Sequence, residues 1–288
     1  MVAFDWYQAT VRGAPVDDIL ASCLELQDGT SLRHTNGRQG YGTVTRVEGS
    51  EGLVAQVLHG GSHPYPHVIF SGSEAVAGSE CIRANFPNHF VTRADACVDF
   101  GEPDAFDRML PALLGAAERH RLKVDTRGDH LLRMAARSVY LGAASSAVQL
   151  RQYDKVAEQR AKYAHDPVKL AELPKHRTRV ELQVRPQTQA MRSHFATIDP
   201  LSVLGSSAWS REVWAEIAGM NLEPLNVGKV WRQSDDDRAY SCMLFQYGAL
   251  IRRKLTDAGS AECLGLQIVY DLAEREAVAK RDRKGRPS

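Results

Sequence analysis

Residues 90–100 of this chain read Phe-Val-Thr-Arg-Ala-Asp-Ala-Cys-Val-Asp-Phe. Side chains alternate across a β-strand, so residues two positions apart share a face. The even positions are mostly apolar or small, whereas the odd positions include Arg93, Asp95 and Asp99. This pattern predicts a strand that packs one face against helices and presents acids and a base on the other.

Two later segments have the same arrangement. Residues 146–155 carry Arg151, Tyr153 and Lys155 on one face, opposite a face of aliphatic side chains. Residues 178–185 also have a polar face, formed by Arg179, Glu181, Gln183 and Arg185. If the three strands are neighbours, one face of a sheet gathers carboxylates, cations and a tyrosine.

The segments around these strands predict an α+β fold. A strand at residues 2–11 is followed by a helix at 14–27, and the strand at 90–100 is followed by a helix at 104–121. Further strands with Gly-containing turns come after each helix. Two successive units of this kind, RRM-like or ferredoxin-like, predict a mainly antiparallel sheet with helices on one face.

Beyond Pro186 the apolar spacing becomes helical. We therefore expect two parts, a sheet domain at residues 1–186 and a helical C-terminal region at residues 187–288.

The composition, 43% hydrophobic and 25% charged, is that of a folded globular protein. The five cysteines are scattered and form no Cys-x-x-Cys pair, which favours a reducing compartment. No run of about 18 uncharged residues is present, so no membrane span is expected. The expectation is a cytoplasmic protein without a membrane partner.

The near-neutral total of 36 Lys and Arg against 35 Asp and Glu hides a basic middle segment. Residues 121–190 contain 14 basic and 7 acidic side chains, whereas residues 1–120 contain 8 and 15. The near-zero net charge of the chain excludes a protein that binds along DNA of any sequence through its overall positive charge. The basic segment is where DNA is expected to lie.

The polar strand faces suit phosphodiester chemistry. Carboxylates that converge can bind a hard divalent cation, Mg²⁺ or Mn²⁺. Arginines can bind phosphate, and the candidate DNA contacts are Arg93, Arg151 and Arg185. A tyrosine hydroxyl, with a pKa of about 10, needs such help to act as a nucleophile. However, ordinary cross-strand ion pairs explain the same charges without chemistry. The pattern also does not distinguish Tyr153 from Tyr163 or Tyr7.

Two other motifs do not predict a binding site. His59, His63 and His67 recur every fourth residue, but the intervening glycines and prolines forbid a helix. This predicts a loop leading into a strand and not a zinc site. The Gly-rich residues 37–42 lack the Lys-Ser/Thr of a phosphate loop and are interpreted as a flexible connection.

Three passages between residues 90 and 185 resemble the replication initiation factor family, the rolling-circle initiators of filamentous phages, plasmids and integrative elements. One passage is similar to the Thr-Arg-x-Asp-x-x-x-Asp strand of the family, and it consists of Thr92-Arg93-Ala94-Asp95 followed by Asp99. Arg151-Gln152-Tyr153-Asp154-Lys155 is similar to its Arg-x-Tyr-x-Lys segment, with Glu158 at the usual following acid. Arg179-Val180-Glu181-Leu182 is similar to its Arg-x-Glu strand, and Asp5 lies where the family often has an early Asp.

The resemblance implies a tyrosine endonuclease and ligase. Residues 1–186 would be its nicking or strand-transfer domain, and the helical C-terminal region at residues 187–288 would support interaction or DNA binding. Tyr153 would be the nucleophile that forms a 5′-phosphotyrosyl link and leaves a 3′-hydroxyl primer. Asp95, Asp99 and Glu181 would be the metal ligands. Lys155 and Arg179 would support the phosphate.

The implied partners are origin DNA, single-stranded or as an extruded hairpin, and the host helicase and polymerase. A homodimer is a further expectation. Two alternatives remain open: a mobilisation relaxase of an integrative element, which shares the chemistry, and a non-catalytic origin-binding repressor.

Overall fold

The structure is a computed structural model, and it describes residues 1–228 and 235–284. It has two compact units, Met1–Val230 and Trp231–Ser288. The strands, all in the first unit, are β1 (Val2–Val11), β2 (Ser31–Asn36), β3 (Thr43–Gly49), β4 (Gly52–His59), β5 (His67–Ser71), β6 (His89–Phe100), β7 (Val124–Asp129), β8 (Ala135–Leu141), β9 (Val148–Asp154) and β10 (Thr178–Val184). The helices of this unit are α1 (Val16–Leu24), α2 (Glu74–Asn85), α3 (Ala105–Arg119), α4 (Lys155–Lys162), α5 (Pro167–Glu172), α6 (Gln189–His194), α7 (Pro200–Val203) and α8 (Ala208–Ala218).

These strands form one sheet in the order β2-β3-β4-β5-β1-β6-β10-β9-β8-β7. Each neighbouring pair is antiparallel. From the centre outward, one half runs β1, β5, β4, β3, β2 and the other runs β6, β10, β9, β8, β7. The two halves therefore share one connectivity. The predicted α+β fold, a mainly antiparallel sheet made of two successive units, is confirmed.

The hydrophobic core lies between one face of the sheet and the helices. Ala96 of β6 is paired with Leu182 of β10, which is paired with Leu150 of β9, and all three are buried in this core. The helices contribute Ile19, Ile82, Leu113, Val203 and Trp214 to the same cluster. Because side chains alternate along each strand, the opposite face is left for polar residues. We call it the open face.

The first unit extends beyond the domain boundary predicted at residue 186. Helix α8 starts at a capping box in which Ser207 and Ser210 exchange side-chain and backbone hydrogen bonds. Its Trp214 is fully buried, and Phe195 lies in the same core. Residues 187–228 therefore complete the core of the sheet unit, and the separate helical unit begins later than the sequence pattern indicates.

Strands β2 and β7 and helices α4 and α5 are not predicted by the sequence pattern. The outermost strands, β2 and β7, are exposed along almost their whole length, so they have no alternation to detect. Helices α4 and α5 lie between β9 and β10, where no element is expected. Helix α4 begins at Asp154, whose side chain accepts a hydrogen bond from the backbone N–H of Ala157.

The second unit is a pair of helices, α9 (Asp235–Ala258) and α10 (Ala261–Lys284). Several large apolar side chains of this pair are exposed, among them Phe245, Leu266 and Tyr270. In the described ranges, no helix combines the length and apolar character needed to cross a bilayer. The expected homodimer stays a prediction.

Candidate active site

The open face brings the three predicted polar strands side by side. Strand β10 lies between β6 and β9, with Arg179 opposite Asp99 on one side and opposite Tyr153 on the other. Glu181 lies in the same way between Cys97 and Arg151. The sheet order therefore gathers the candidate residues into one patch, as the alternation of each strand predicts.

Tyr153 lies at the centre of this patch, near the end of β9. Its hydroxyl is 3.4 Å from Oε2 of Glu181 and 3.3 Å from Nζ of Lys155. The guanidinium of Arg151 lies 3.7 Å from the centre of the tyrosine ring. Lys155 also donates a hydrogen bond to Glu158. The hydroxyl is thus held between a carboxylate and an ammonium group, and only 2% of the residue is exposed.

Two carboxylates, Asp95 and Glu181, are buried beside this tyrosine. Arg93 donates hydrogen bonds from Nε to both oxygens of Asp95, at 2.8 and 3.0 Å. Burial and the negative charge of Asp95 raise the pKa of Glu181 well above its ordinary value. Burial and mutual repulsion therefore disfavour the state in which both carboxyls are ionised.

Asp99 belongs to a second cluster on the same face. Arg179 donates to it from Nε at 2.6 Å and from Nη2 at 2.7 Å. The remaining nitrogen of Arg179 donates to Asp5 on β1. This bidentate pairing occupies both oxygens of Asp99. Asp99 is therefore held away from the Asp95–Glu181 pair.

The surroundings suppress ionisation of Tyr153. Burial is the largest cause that raises the pKa of its hydroxyl, followed by the negative charges of Glu181, Asp5 and Glu158. Arg179 has a smaller, opposing effect. Any role as a nucleophile thus requires additional positive charge near the hydroxyl.

An open cleft of about 500 Å³ borders the patch. Its lining includes Asp5, Trp6, Arg93, Arg151, Lys155 and Glu181. Residues of the β3–β4 turn and the segment after β5 form the opposite wall. The cleft therefore gives a ligand access to the cations that surround Tyr153.

Comparison with solved structures finds similarity to a rolling circle replication initiator protein from Geobacillus stearothermophilus. The TM-score is 0.47 and the identity is 18%, over 71% of this chain and 81% of that chain. The sequence matches no protein-family model and no curated protein sequence.

The predicted three-carboxylate metal site is only partly assembled. Across residues 1–228 and 235–284, no group of three or more His, Cys, Asp or Glu side chains is arranged to hold a metal ion. Mg²⁺ commonly uses one or two protein carboxylates and completes its shell with water and substrate phosphate. Glu181, a buried carboxylate in the lining of the cleft, fits that requirement. Asp95 and Asp99 do not fit it in this arrangement, because Arg93 binds both oxygens of Asp95 and Arg179 binds both oxygens of Asp99.

The three arginines predicted to contact DNA already have protein partners. Arg93 binds Asp95 and lies 4.4 Å from the centre of the Trp6 ring. Arg151 covers Tyr153. Arg185 donates to the backbone carbonyls of Ala144 and Ser146, in the turn between β8 and β9. Of the three, Arg93 and Arg151 line the cleft, and Arg185 does not.

Trp6 is a cleft residue that the sequence analysis does not identify. Strand β1 has a bulge between Phe4 and Trp6, so Asp5 and Trp6 both face the open side. Simple alternation would place Asp5 and Trp6 on opposite faces. The resemblance marks Asp5 by its position only, and no sequence signal marks the bulge.

Proposed function

We propose that this protein is a rolling-circle replication initiator that nicks and rejoins origin DNA through Tyr153. The observation that carries the proposal is the position of the Tyr153 hydroxyl between Glu181 and Lys155, next to a cleft lined with cations. Tyrosine, carboxylate pair and cations together are the groups that transesterification of a phosphodiester requires.

In the proposed reaction the Tyr153 oxygen attacks a phosphorus atom of single-stranded or extruded origin DNA. A bond forms between the tyrosine oxygen and phosphorus, and the bond from phosphorus to the 3′ oxygen breaks. The tyrosine proton leaves to water in the cleft, and the departing 3′ oxygen takes up a proton from water to become the primer hydroxyl. The reverse reaction rejoins the strand without a nucleotide cofactor.

Lys155 has the central supporting role in this proposal. Its ammonium group contacts the Tyr153 hydroxyl at 3.3 Å and Glu158 at 2.5 Å. A phosphate that replaces Glu158 as the partner of Lys155 would lie next to the hydroxyl. Lys155 would then stabilise both the phenolate and the charge that develops on the phosphate.

Glu181 would hold a divalent cation, Mg²⁺ or Mn²⁺, together with water and phosphate oxygens, and Asp95 would join it only where the cation replaces Arg93 as its partner. When bound, the cation supplies positive charge that offsets the carboxylates and polarises a phosphate oxygen. Arg93 holds Asp95 through hydrogen bonds to both carboxylate oxygens. Arg179 joins Asp5 to Asp99 and serves as a positioning residue.

The test is covalent attachment to DNA. Purified protein is incubated with Mg²⁺ and supercoiled plasmid that carries the DNA flanking its own gene, and nicking and protein–DNA adducts are measured. Tyr153→Phe is expected to abolish the adduct and to leave DNA binding largely intact. Tyr163→Phe is the matched control and should form the adduct normally. An adduct that survives Tyr153→Phe and is lost in Tyr163→Phe would move the nucleophile to Tyr163.

The alternative of a non-catalytic origin-binding repressor is favoured by one observation. Tyr153 is 2% exposed, and its surroundings raise the pKa of its hydroxyl. A repressor would bind the same DNA tightly and produce no nick with Mg²⁺ or Mn²⁺. The same assay therefore decides between the two functions.

A further inference from the structure

The open face carries a second cavity, of about 370 Å³, in the first half of the sheet. Gln8 and Thr10 of β1, Tyr41, His63, His67 and Thr92 are among its lining residues. It lies over β1 and β5, whereas the candidate active site lies over β6 and β10. These strand pairs are counterparts in the shared connectivity of the two halves.

The chemistry of this cavity differs from that of the candidate active site. Gln8, Thr10 and His67 line it, and Thr10 is paired with His67 across β1 and β5. Within the part of the chain that the structure describes, the lining includes an amide and imidazoles and no carboxylate, so the cavity is suited to hydrogen bonding and not to a hard cation.

Flat rings form one wall of the cavity. The rings of Tyr41 and His63 are stacked, with centres 4.3 Å apart and planes inclined by 25°. The Tyr41 ring is also nearly parallel to His67, at 6.0 Å. Tyr41 packs against the small apolar cluster of Val44, Leu58 and Ile69, which fixes its orientation. Rings held in this way form an ordered stack, which we call the platform, that a further planar group can extend.

Polar atoms surround this platform. Thr10 Oγ1 and His67 Nδ1 share a hydrogen bond of 3.0 Å. Gln8 presents its amide to the cavity, with its oxygen accepting a hydrogen bond of 3.1 Å from the Trp6 indole. The amide nitrogen of Gln8 and the Nε2 of His67 are therefore candidate groups for reading the edge of a base.

Two loops build the platform, and both are segments whose sequence predicts only connections. Residues 37–42 pack against residues 60–63, with the backbone N–H of Ser62 donating to Gly40 O at 3.0 Å. His63 Nε2 lies 2.9 Å from Gln39 O. A Cβ added at Gly61, whose φ is +74°, would lie 2.4 Å from Gly40 O. The glycines thus permit close loop packing that preorganises the rings.

Cations surround the mouth of the cavity. Arg192 is part of its lining. Arg12 lies 5.1 Å from the centre of the Tyr65 ring and 4.3 Å from that of Phe90. Tyr65 is also a lining residue. Rings that stack on bases combined with cations that follow the backbone are the general features of single-strand binding surfaces.

We propose that this cavity binds a nucleobase of the single-stranded DNA whose neighbouring phosphodiester is cut at Tyr153. The base would stack on the Tyr41 and His63 platform, with Gln8 and His67 facing its edge. This inference rests on the proposed function. The open face is continuous between the two sites, because Trp6 and Arg93 line the first cleft and Gln8 and Thr92 line the second. Trp6 and Thr10 are four residues apart on β1, or about 13 Å along the strand.

The test measures binding of a fluorescein-labelled single-stranded oligonucleotide, about 15 nucleotides long, to the full chain. Tyr41→Ala is expected to weaken binding about tenfold, and Tyr41→Phe, which keeps the ring, to bind within about twofold of the wild type. Tyr240→Ala, at an exposed position of the second unit, is the control and should bind normally. Deoxythymidine monophosphate should fail to compete, because the site serves a base within a strand and not a free nucleotide.

Photocrosslinking keeps the proposal testable if Tyr41→Ala does not fold. The same oligonucleotide with 5-bromodeoxyuridine should crosslink wild-type protein within residues 37–67. Crosslinks only to residues that do not line the cavity, unchanged binding by folded Tyr41→Ala, or efficient competition by the mononucleotide would overturn the proposal. Tyr41-dependent binding without any covalent adduct at Tyr153 would refute the proposed function instead and leave the base site standing.

Discussion

Asp5 on β1 and Arg179 on β10 form an ion pair across the intervening strand β6, and the two residues are 174 positions apart in the chain. Arg179 also holds Asp99 with two hydrogen bonds. One guanidinium therefore ties the first half of the sheet to the second at the candidate active site.

Replacing Arg179 is expected to destabilise the fold. Arg179→Ala would leave Asp5 and Asp99 without their shared cation in a mostly buried cluster, where the side chains of Arg179 and Asp5 are 13% and 15% exposed. Loss of one partner from such a pair costs about 2–4 kcal/mol of unfolding free energy. Urea denaturation measures the change. Arg119→Ala, which removes an exposed pair with Glu212, is the control and should cost less than about 1 kcal/mol.

The sequence predicts which residues share the face of the candidate site better than it predicts the ion pairs between them. Alternation in three strands is sufficient to place Asp95, Tyr153 and Glu181 on one face, because each strand has a buried aliphatic face that fixes its orientation. The ion pair of Asp5 with Arg179 depends on strand order and on a bulge, and neither leaves a local pattern. The identity of the tyrosine came only from family resemblance, since spacing alone treats Tyr153 and Tyr163 alike.

Asp99 illustrates the limit of reasoning from strand faces. Alternation correctly puts it on the face of Asp95, but position on a face does not determine which neighbour a side chain binds. Arg179 lies directly opposite on β10 and occupies both of its oxygens. Its assignment as a metal ligand followed from the resemblance, and the local geometry favours an ion pair.

Glu158→Gln is expected to increase nicking at low DNA concentration. Glu158 accepts a hydrogen bond from Lys155, which in the proposed mechanism must bind the phosphate instead. The negative charge of Glu158 also raises the pKa of Tyr153. Removing that charge should raise the rate about two- to fivefold below saturating DNA, an effect of less than about 1 kcal/mol. Lys155→Gln, which removes the cation itself, should slow nicking about 100-fold. A slower Glu158→Gln enzyme would show that Glu158 assists the reaction.

His67 should make stability depend on pH below neutrality. Burial, with smaller effects of the positive charges of His63 and Arg38, lowers the pKa of His67 to about 4. An unfolded chain has a histidine pKa of about 6.5, so between that pH and about 4 only the unfolded state binds the proton. The free energy of unfolding therefore falls as the pH falls through this window, by up to about 3 kcal/mol.

The comparison of wild type with His67→Gln isolates this contribution. Urea denaturation at about pH 7 and about pH 4.5 should show a larger acid loss for the wild type than for the variant. His194→Gln, at an exposed position, should retain the wild-type dependence. Equal pH dependence in wild type and His67→Gln would contradict the prediction.

The salt dependence of DNA binding distinguishes basic residues that contact DNA from basic residues that stabilise the fold. Lys162 is exposed and lines the first cleft, so Lys162→Ala should weaken binding by similar factors for all sequences. It should also reduce the slope of log K against log salt concentration by about 0.7, the value for one phosphate contact on a single strand.

Arg185 instead donates hydrogen bonds to the carbonyls of Ala144 and Ser146. Arg185→Ala should therefore lower the unfolding free energy by about 1–3 kcal/mol and leave the slope of log K against log salt concentration unchanged. A reduced slope in Arg185→Ala with unaltered stability would instead make Arg185 a DNA contact, as the sequence pattern predicts.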